Sequence, residues 1–568
     1  MLSLRIRNLP LWAHLILLGV FVLFMVCVWM LPVLLAGYPN DIPTLLLQAR
    51  NFGEGGVFSL TDQLGRYLHP ELLKVSGTPS ADGGRLSAII FGWIGTFVPY
   101  ADLIGWSFVA SVLLGACLFP LWIATRSFFD TCVAWITVVI FALMPMYWRE
   151  AIFINNYQIA LFFLFMSFAS YGVLRRKTLL AVAIAGLFFG LAVSAKDTFL
   201  VFVPWYVIAT LWFCRPAWKK GLLMITVFGV CSLAPYLTPY AGDIRTLGYP
   251  VNQNLARVWP GEEEIENEIY LHLYPDPYTY FFDRERFERE LLARVQTLSA
   301  LERMQYQKIL LNFDLAPGFF TSLLNGAWLF VGSIPSYFQQ DTMGGVFLWL
   351  FILPGIVLLW RKNKRFAIAI LGLLIFTELS IRFVLHFNRE HLMDVGWALA
   401  LFAGIGIANI AEGLSRSWKK ITPTMLTSVI MLVVAAQLIQ ANRTRFARIY
   451  SKVMVQHTVA AAEALRALPE NVIVATPLGP SNLTQVALLS GTSVVLFSGE
   501  TVRRLLEQGT LSDVFKQYEV THVFGYPDAL AESMRRAMPS LRIITDPLIG
   551  PQSPAVTPAL RWLLHFIR

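Results

Sequence analysis

The sequence predicts an α-helical polytopic membrane protein that ends in a soluble α/β domain. Three observations lead to this fold class. The 568 residues are 56% hydrophobic and only 14% charged, whereas a soluble domain carries about 25% charged residues. Apolar runs of roughly 18 residues, long enough to span a bilayer, recur along most of the chain. The last part of the chain instead alternates short apolar stretches with amphipathic ones, a pattern typical of α/β domains.

Eleven apolar runs are candidate membrane spans, because tilt and short helices are both tolerated in a bilayer. The first run is about 25 residues long and lacks a small-residue cleavage site, which favours a retained span over a removed signal peptide. The approximate limits of the eleven runs are 11–35, 103–125, 132–148, 157–174, 178–195, 199–214, 221–240, 343–360, 366–385, 392–411 and 421–440.

The basic residues favour one orientation. If the N-terminus is cytoplasmic, every predicted inside turn carries Arg or Lys, as the positive-inside rule requires. This distribution accounts for much of the net charge of +9 without a nucleic acid partner. The odd number of spans places the C-terminus outside. The sequence shows no retention or lipidation motif, so a bacterial plasma (inner) membrane is the simplest assignment.

Two regions are predicted. Residues 1–444 form a transmembrane module with outer loops at about 36–100 and 241–342, and residues 445–568 form an extracytoplasmic α/β domain. An amphipathic helix is expected at 287–304 in the second loop. Alternating strands and helices in the last region predict a mostly parallel sheet without a dinucleotide fingerprint. The strands are expected at Val472–Ala475, Ser493–Phe497, Val520–Phe524 and Leu541–Thr545.

Polar side chains that need an explanation gather at the predicted outer ends of the spans. Charged side chains at this depth often extend to the membrane–water interface or pair with each other. Asp41 could instead be the N-cap of a helix that begins near Pro43. The adjacent pair Lys196–Asp197 could instead be only a polar end to the span at a tight turn. The outer-end residues are Asp41, Arg149, Glu150, Asn155, Asn156, Lys196, Asp197, Arg382, His386, Arg389, Glu390, His391 and Asp394.

Three features in a fixed order carry a family resemblance. The first span leads to Asn40-Asp41, the same loop contains His69-Pro70-Glu71, and the small-residue stretch from Ala185 leads to Lys196. With the large outer loop and the α/β tail, these features resemble the GT-C membrane glycosyltransferases. The branch they resemble contains the protein O-mannosyltransferases and the lipid A aminoarabinose transferases.

This resemblance implies an inverting glycosyltransferase with a polyprenyl-phosphate-linked sugar donor. The acceptor, a protein, lipid or glycan, is not identified. Asp41 would be the catalytic carboxylate. Many relatives carry an Asp at the start of the fourth span, where this chain has Asn155 and Asn156; either Glu150 takes that role or the role is missing. No metal or other cofactor is predicted. The donor phosphate would be bound by Lys196, Arg382, Arg389 and His391, with His69, Asn155 and Asn156 as candidate substrate-binding residues.

A non-catalytic lipid or glycolipid transporter, or a flippase, is the alternative. Transporters often show inverted repeats and broken helices at the bilayer midplane. The sequence shows no clear internal repeat, and its polar residues lie at the ends of the spans. Both observations favour chemistry at the membrane surface.

Overall fold

The structure is a computed structural model. It describes residues 9–36, 45–46, 49–50, 52, 84–100, 102–174, 177–204, 206–208, 218–241, 289, 293, 331, 334–384, 392–418, 421–450, 461–469, 472–477, 486–497 and 499–544. The amphipathic helix expected at 287–304 lies outside the described residues, apart from Arg289 and Ala293.

Helices dominate the described residues up to Tyr450. In chain order the helices are α1 (Leu11–Ala36), α2 (Arg85–Ile94), α3 (Leu103–Phe128), α4 (Thr131–Leu143), α5 (Pro145–Ile152), α6 (Asn156–Val173), α7 (Thr178–Ala195), α8 (Trp218–Leu237), α9 (Val346–Lys362), α10 (Lys364–Val384), α11 (Met393–Ser417) and α12 (Pro423–Tyr450).

Among the described residues, six helices are long and apolar enough to cross a membrane, or seven if α4 and α5 count as one broken span. Helices α6, α9 and α10 occupy the predicted spans 157–174, 343–360 and 366–385, although they are not among the six. The predicted span at 199–214 begins with a 3-10 turn, Asp197–Phe202. The count of eleven therefore stays a prediction.

The predicted span 132–148 is broken rather than straight. Proline disfavours the helical conformation of the residue before it, and Met144 is extended with φ −63° and ψ 132°. Pro145 then occupies the first turn of a new helix, where its missing N–H costs nothing. Helices α4 and α5 consequently meet at 64°, which turns Arg149 and Glu150 away from the direction of the span.

Glycine allows the closest helix contacts. Helix α7 packs between α6 and α8. A Cβ atom at Gly190 would lie 2.1 Å from the carbonyl oxygen of Ser232, and one at Gly186 would lie 2.7 Å from that of Phe228. The small-residue stretch seen in the sequence is therefore the face on which α7 touches the backbone of α8, as in other membrane helix pairs.

Short turns reverse the chain at each end of the bundle, and the two ends differ in the residues that they carry. One end, here called the basic end, carries Arg126, Lys177, Lys362, Lys364 and Arg416. The opposite end, here called the polar end, contains the α5–α6 junction and the last residues of α7. Helix α12 leads from the basic end toward the C-terminal region, and it continues through the proposed domain boundary at 444/445 to Tyr450.

The C-terminal region contains a small four-stranded parallel sheet in the order β2-β1-β3-β4. The strands lie where the alternating pattern predicted them, but each has only three or four residues, so a separate α/β domain at 445–568 stays a prediction. The elements are β1 (Ile473–Thr476), β2 (Ser493–Leu496), α13 (Gly499–Glu507), α14 (Leu511–Gln517), β3 (His522–Phe524), α15 (Asp528–Ala537) and β4 (Arg542–Ile544).

The two faces of this sheet pack against different parts of the molecule. Successive side chains of a strand point to opposite faces, and here Val474 and Ile473 belong to different hydrophobic clusters. The distal face, with Ile473, Ala475 and Val495, packs on α13 to α15. The proximal face, with Val474, is continuous with the apolar core of the helical bundle.

Candidate functional site

Three separate breaks in the helical chain meet at the polar end of the bundle. They are the start of α2, the α5–α6 junction and the end of α7. The hydroxyl of Ser87 in α2 donates to the carbonyl of Ala195 at 3.0 Å. Gly84 has φ +99°, and a Cβ there would lie 2.6 Å from both the Ala195 carbonyl oxygen and the Asn156 side-chain nitrogen. Glycine is therefore required where the three breaks come together.

The α5–α6 junction holds a buried carboxylate in place. Asn155 is the N-cap of α6 in a capping box with Gln158, which satisfies otherwise unpaired backbone N–H groups. The Asn155 side-chain amide also donates to Glu150 Oε2 at 3.1 Å, while Arg149 Nε lies 3.8 Å from Glu150 Oε1. Gln158 Nε2 donates to the carbonyl of Glu150 at 2.6 Å. The carboxylate of Glu150 is thus oriented by two side chains of its own junction.

Lys196 is a nearly buried cation at the end of α7. Its side chain is only 9% exposed, and its ammonium nitrogen lies 3.9 Å from the centre of the Tyr157 ring. Such a cation–π contact stabilises a partly desolvated ammonium group. Among the residues that the structure describes, no carboxylate lies within 4.0 Å of this nitrogen. Since a buried charge is costly without an anionic partner, this position is suited to bind an anion.

Asp197 connects Lys196 to the end of α8. The phenol of Tyr240 donates to Asp197 Oδ1 at 3.2 Å. The guanidinium carbon of Arg85 lies 5.7 Å from the centre of the Tyr240 ring. Arg85, Asp197 and Tyr240 are all buried. The polar cluster, defined here as Arg85, Glu150, Asn155, Lys196, Asp197 and Tyr240, therefore joins α2, α5, α6, α7 and the turn after α8.

The structure brings together only part of the predicted site. Glu150, Asn155, Asn156 and Lys196 lie at the junctions just described. Arg382 lies in the last turn of α10, and only its backbone is described. Asp41, His69, His386, Arg389, Glu390 and His391 lie outside the described residues. The prediction that no metal is bound stays a prediction, because these loop residues include the candidate carboxylate Asp41.

Sequence reasoning missed Arg85, Tyr240 and Glu378. Arg85 directly follows Gly83-Gly84, and this glycine pair at the start of an apolar stretch was the available signal. Tyr240 has no such signal, because Tyr is common at the ends of membrane spans. Glu378 is a buried carboxylate in α10, a helix that contacts the Asp197–Phe202 turn. A carboxylate inside an apolar run is itself a signal of function.

Solved structures that are similar to this chain include an oligosaccharyltransferase and an ArnT. The apo oligosaccharyltransferase of Archaeoglobus fulgidus is 14% identical, with a TM-score of 0.52 over 88% of this chain and 69% of that one. The same enzyme tethered to an acceptor peptide with an NVT sequon is 12% identical, with a TM-score of 0.51 over 89% and 68%. ArnT from Cupriavidus metallidurans bound to undecaprenyl phosphate is 12% identical, with a TM-score of 0.46 over 94% and 90%.

No protein-family model matches the sequence, and no curated protein matches it. The structural likeness shows the fold. The chain is folded like the oligosaccharyltransferase of Archaeoglobus fulgidus, which agrees with the fold that the resemblance in the sequence implies. Six helices among the described residues are long and apolar enough to cross a membrane, so the chain is an integral membrane protein.

Proposed function

We propose that this protein transfers a sugar from a polyprenyl-phosphate-linked donor to an acceptor hydroxyl at the polar end of the bundle. The observation that carries the proposal is the nearly buried ammonium group of Lys196, with Arg85 on the same connected cluster. A polyprenyl phosphate is an anion attached to an apolar tail, and a cation at the rim of an apolar bundle suits both parts. The likeness in fold to an oligosaccharyltransferase supports the same reaction class.

The chemistry requires one base and one site for the leaving anion. The acceptor oxygen attacks C1 of the donor sugar while the bond from C1 to the phosphate oxygen breaks. Asp41 takes the proton of the acceptor hydroxyl, since a carboxylate within hydrogen-bond reach is a competent general base. The electron pair of the broken bond leaves on the polyprenyl phosphate. A single displacement of this kind inverts the configuration at C1.

Lys196 stabilises the charge that develops on the leaving phosphate. Preorganised cations act most strongly where water is excluded, and Lys196 and Arg85 are both held among buried groups. Arg382, Arg389 and His391 are proposed as further phosphate ligands from the loop after α10. Glu150, oriented by Asn155, is proposed as a second carboxylate that contacts the acceptor or the sugar, with His69 and Asn156 as substrate-binding residues.

The orientation follows from the charge distribution. The basic end of the bundle is proposed to face the cytoplasm and the polar end the outer surface of a bacterial plasma membrane. The donor would then be used on the outer leaflet, and the C-terminal region would be extracytoplasmic.

The first test measures binding of decaprenyl phosphate to the purified protein in nanodiscs. We expect Lys196→Met to weaken binding at least about tenfold, because one buried charge-assisted contact is lost. Lys362→Met is the matched control, since Lys362 lies at the basic end and donates to Asn409. Equal affinities for the wild-type protein and Lys196→Met would reject Lys196 as the phosphate-binding residue.

The second test separates an enzyme from a transporter. Mass spectrometry of lipids that copurify with the protein identifies the donor, which is then used in a transfer assay with labelled sugar. We expect Asp41→Asn to abolish transfer while expression and decaprenyl phosphate binding persist. Sugar transfer that survives in this variant would reject Asp41 as the base. Movement of the lipid across the bilayer without transfer in the wild-type protein would favour the transporter.

A further inference from the structure

The segment that follows Asp41 is in contact with the C-terminal region. The described residues between 45 and 52, here called the outer-loop segment, are helical at 45–46, 49–50 and 52. Leu45, Leu46 and Ala49 are buried. They belong to the hydrophobic cluster that also contains Val486 and Leu489 of the C-terminal region. The outer-loop segment is thus packed into a core that both parts of the chain build.

A directional contact accompanies this packing. Arg50 Nη1 donates to the carbonyl oxygen of Ala487 at 3.4 Å, across 437 residues of sequence. Ala487 lies in a short helical stretch at 486–490, and its carbonyl also accepts from the backbone N–H of Gly491 at 3.0 Å. Arg466 Nη2 donates to the carbonyl of Leu489 at 2.5 Å. Arginines from two distant parts of the chain therefore contact carbonyls of the same short helix, and at Ala487 the guanidinium is a second donor.

The proximal face of the β-sheet belongs to the same hydrophobic cluster as the outer-loop segment. Val474, Val494 and Phe524 share the hydrophobic cluster with the outer-loop segment and with the bundle. The distal face and helices α13 to α15 form a separate cluster. The sheet is covered by its own helices on one face, and its other face belongs to the cluster that also contains the outer-loop segment and the bundle.

We propose that the C-terminal region positions the outer-loop segment, and through it Asp41, with Arg50 as the positioning residue. This inference rests on the proposed function of Asp41, which precedes Arg50 by nine residues. Apolar packing is not directional, whereas a guanidinium–carbonyl contact depends on distance and angle and therefore favours one register. Catalytic groups are sensitive to this, because a misplacement of about 1 Å can lower the rate about 100-fold.

The test compares Arg50→Ala with Arg536→Ala in the full-length protein. Arg536 is exposed in α15 beside the distal face, so its loss removes the same charge and leaves the outer-loop segment untouched. Amide hydrogen exchange of peptides covering 45–52 is measured by mass spectrometry, together with kcat and KM of sugar transfer. Arg50→Lys is included because a lysine can also donate to the Ala487 carbonyl.

We expect Arg50→Ala to raise the exchange rate at 45–52 and to lower kcat about tenfold. KM for the lipid donor should stay within about twofold, because Arg50 is not placed on the phosphate. Arg50→Lys should recover part of both effects, and Arg536→Ala should match the wild-type protein. A rise in donor KM at unchanged kcat would contradict a positioning role.

Two results would overturn the proposal. Unchanged exchange at 45–52 in Arg50→Ala would show that the contact does not hold the segment, whatever happens to activity. Faster exchange with an unchanged kcat would show that the segment does not set the position of the base. Failure of the proposed function is distinguishable from both, because it appears as transfer retained in Asp41→Asn.

Discussion

The phenol of Tyr240 donates a hydrogen bond to the carboxylate of Asp197 at 3.2 Å. The bond ties the turn after α8 to the end of α7, and Asp197 is the immediate neighbour of Lys196. It therefore restrains the carboxylate that is closest in sequence to the proposed phosphate-binding cation. Without the bond, one restraint that holds the Asp197 carboxylate away from the Lys196 ammonium is lost.

Tyr240→Phe tests this relationship. The variant keeps the ring near Arg85 and loses only the hydroxyl, so we expect the free energy of unfolding to fall by about 1 kcal/mol. KM for the lipid donor should rise several-fold, since the Asp197 carboxylate would compete with the donor phosphate for Lys196. Thermal unfolding in detergent and donor titrations of the transfer rate measure the two effects.

Tyr236→Phe is the matched control for this substitution. Tyr236 lies one turn earlier in α8, with its ring 5.6 Å from that of Tyr240. Among the described residues its hydroxyl has no hydrogen-bond partner. We expect Tyr236→Phe to leave the donor KM unchanged. Equal donor KM values for the two variants would show that the hydrogen bond from Tyr240 to Asp197 does not affect donor binding.

Asn155 has two roles that two substitutions separate. Asn155→Ala removes the N-cap of α6 and the donor to Glu150. We expect a loss of about 1 kcal/mol from the cap that does not depend on pH, and the lost bond to the Glu150 carboxylate adds a part that does. Asn155→Asp keeps the cap, because Asp is an equally good N-cap, but it places a second carboxylate beside Glu150 Oε2. Like charges at this distance repel, so its destabilisation should grow as the pH rises.

Unfolding temperatures measured between pH 5 and pH 8 distinguish the two variants. The Asn155→Ala curve should stay below the wild-type curve at acidic pH because the cap is still missing, whereas the Asn155→Asp curve should approach the wild-type curve there. A pH-independent loss in Asn155→Asp would mean that the Asn155 amide does not face the Glu150 carboxylate.

Much of the fold was predictable because membrane spans depend on few variables. A lipid-facing helix needs only length, apolarity and a polar end, and all three are read directly from one sequence. Lys196 and Glu150 were found for the same reason, since a charge that ends an apolar run is conspicuous. The break at Pro145 was missed because the residues on both sides of it are apolar, so the run appeared continuous.

Pairing between distant parts of the chain was not predictable. Tyr240 and Asp197 are 43 residues apart, and Arg50 and Ala487 are 437 apart. Neither contact leaves a periodicity or a local motif. The role of Arg50 in particular depends on a main-chain carbonyl, whose position is independent of which side chain Ala487 carries. Only the folded backbone brings these atoms together.

His522 makes the stability of the C-terminal region dependent on pH. Burial in β3, and secondarily the positive charge of Arg542, lower the pKa of His522 below its ordinary value. The unfolded chain therefore binds a proton more readily than the folded one. Stability is then complete above the ordinary pKa of about 6.5 and is lost as the pH falls through this value toward the lower folded pKa.

His522→Gln should remove this dependence. Glutamine does not titrate, so the unfolding temperature of the variant should fall less than that of the wild-type protein between pH 7.5 and pH 5. Differential scanning fluorimetry of the full-length protein measures both curves. Parallel curves over this range would show that another group controls the acid sensitivity.

The contact between α7 and α8 predicts that the smallest substitution at Gly190 is damaging. An added Cβ would lie 2.1 Å from the Ser232 carbonyl oxygen, and a backbone atom of a packed helix cannot move aside cheaply. Overpacking of this kind costs about 1–3 kcal/mol.

Gly229→Ala is the matched control, because Gly229 lies in α8 with no heavy atom within 4 Å of its added Cβ. We expect Gly190→Ala to lower the unfolding temperature and Gly229→Ala to leave it unchanged or raise it, since Ala favours helix over Gly. Equal unfolding temperatures for the two variants would show that α7 and α8 do not approach at Gly190. The consequence would reach the polar cluster, because α7 ends at Lys196 and the turn after α8 carries Tyr240.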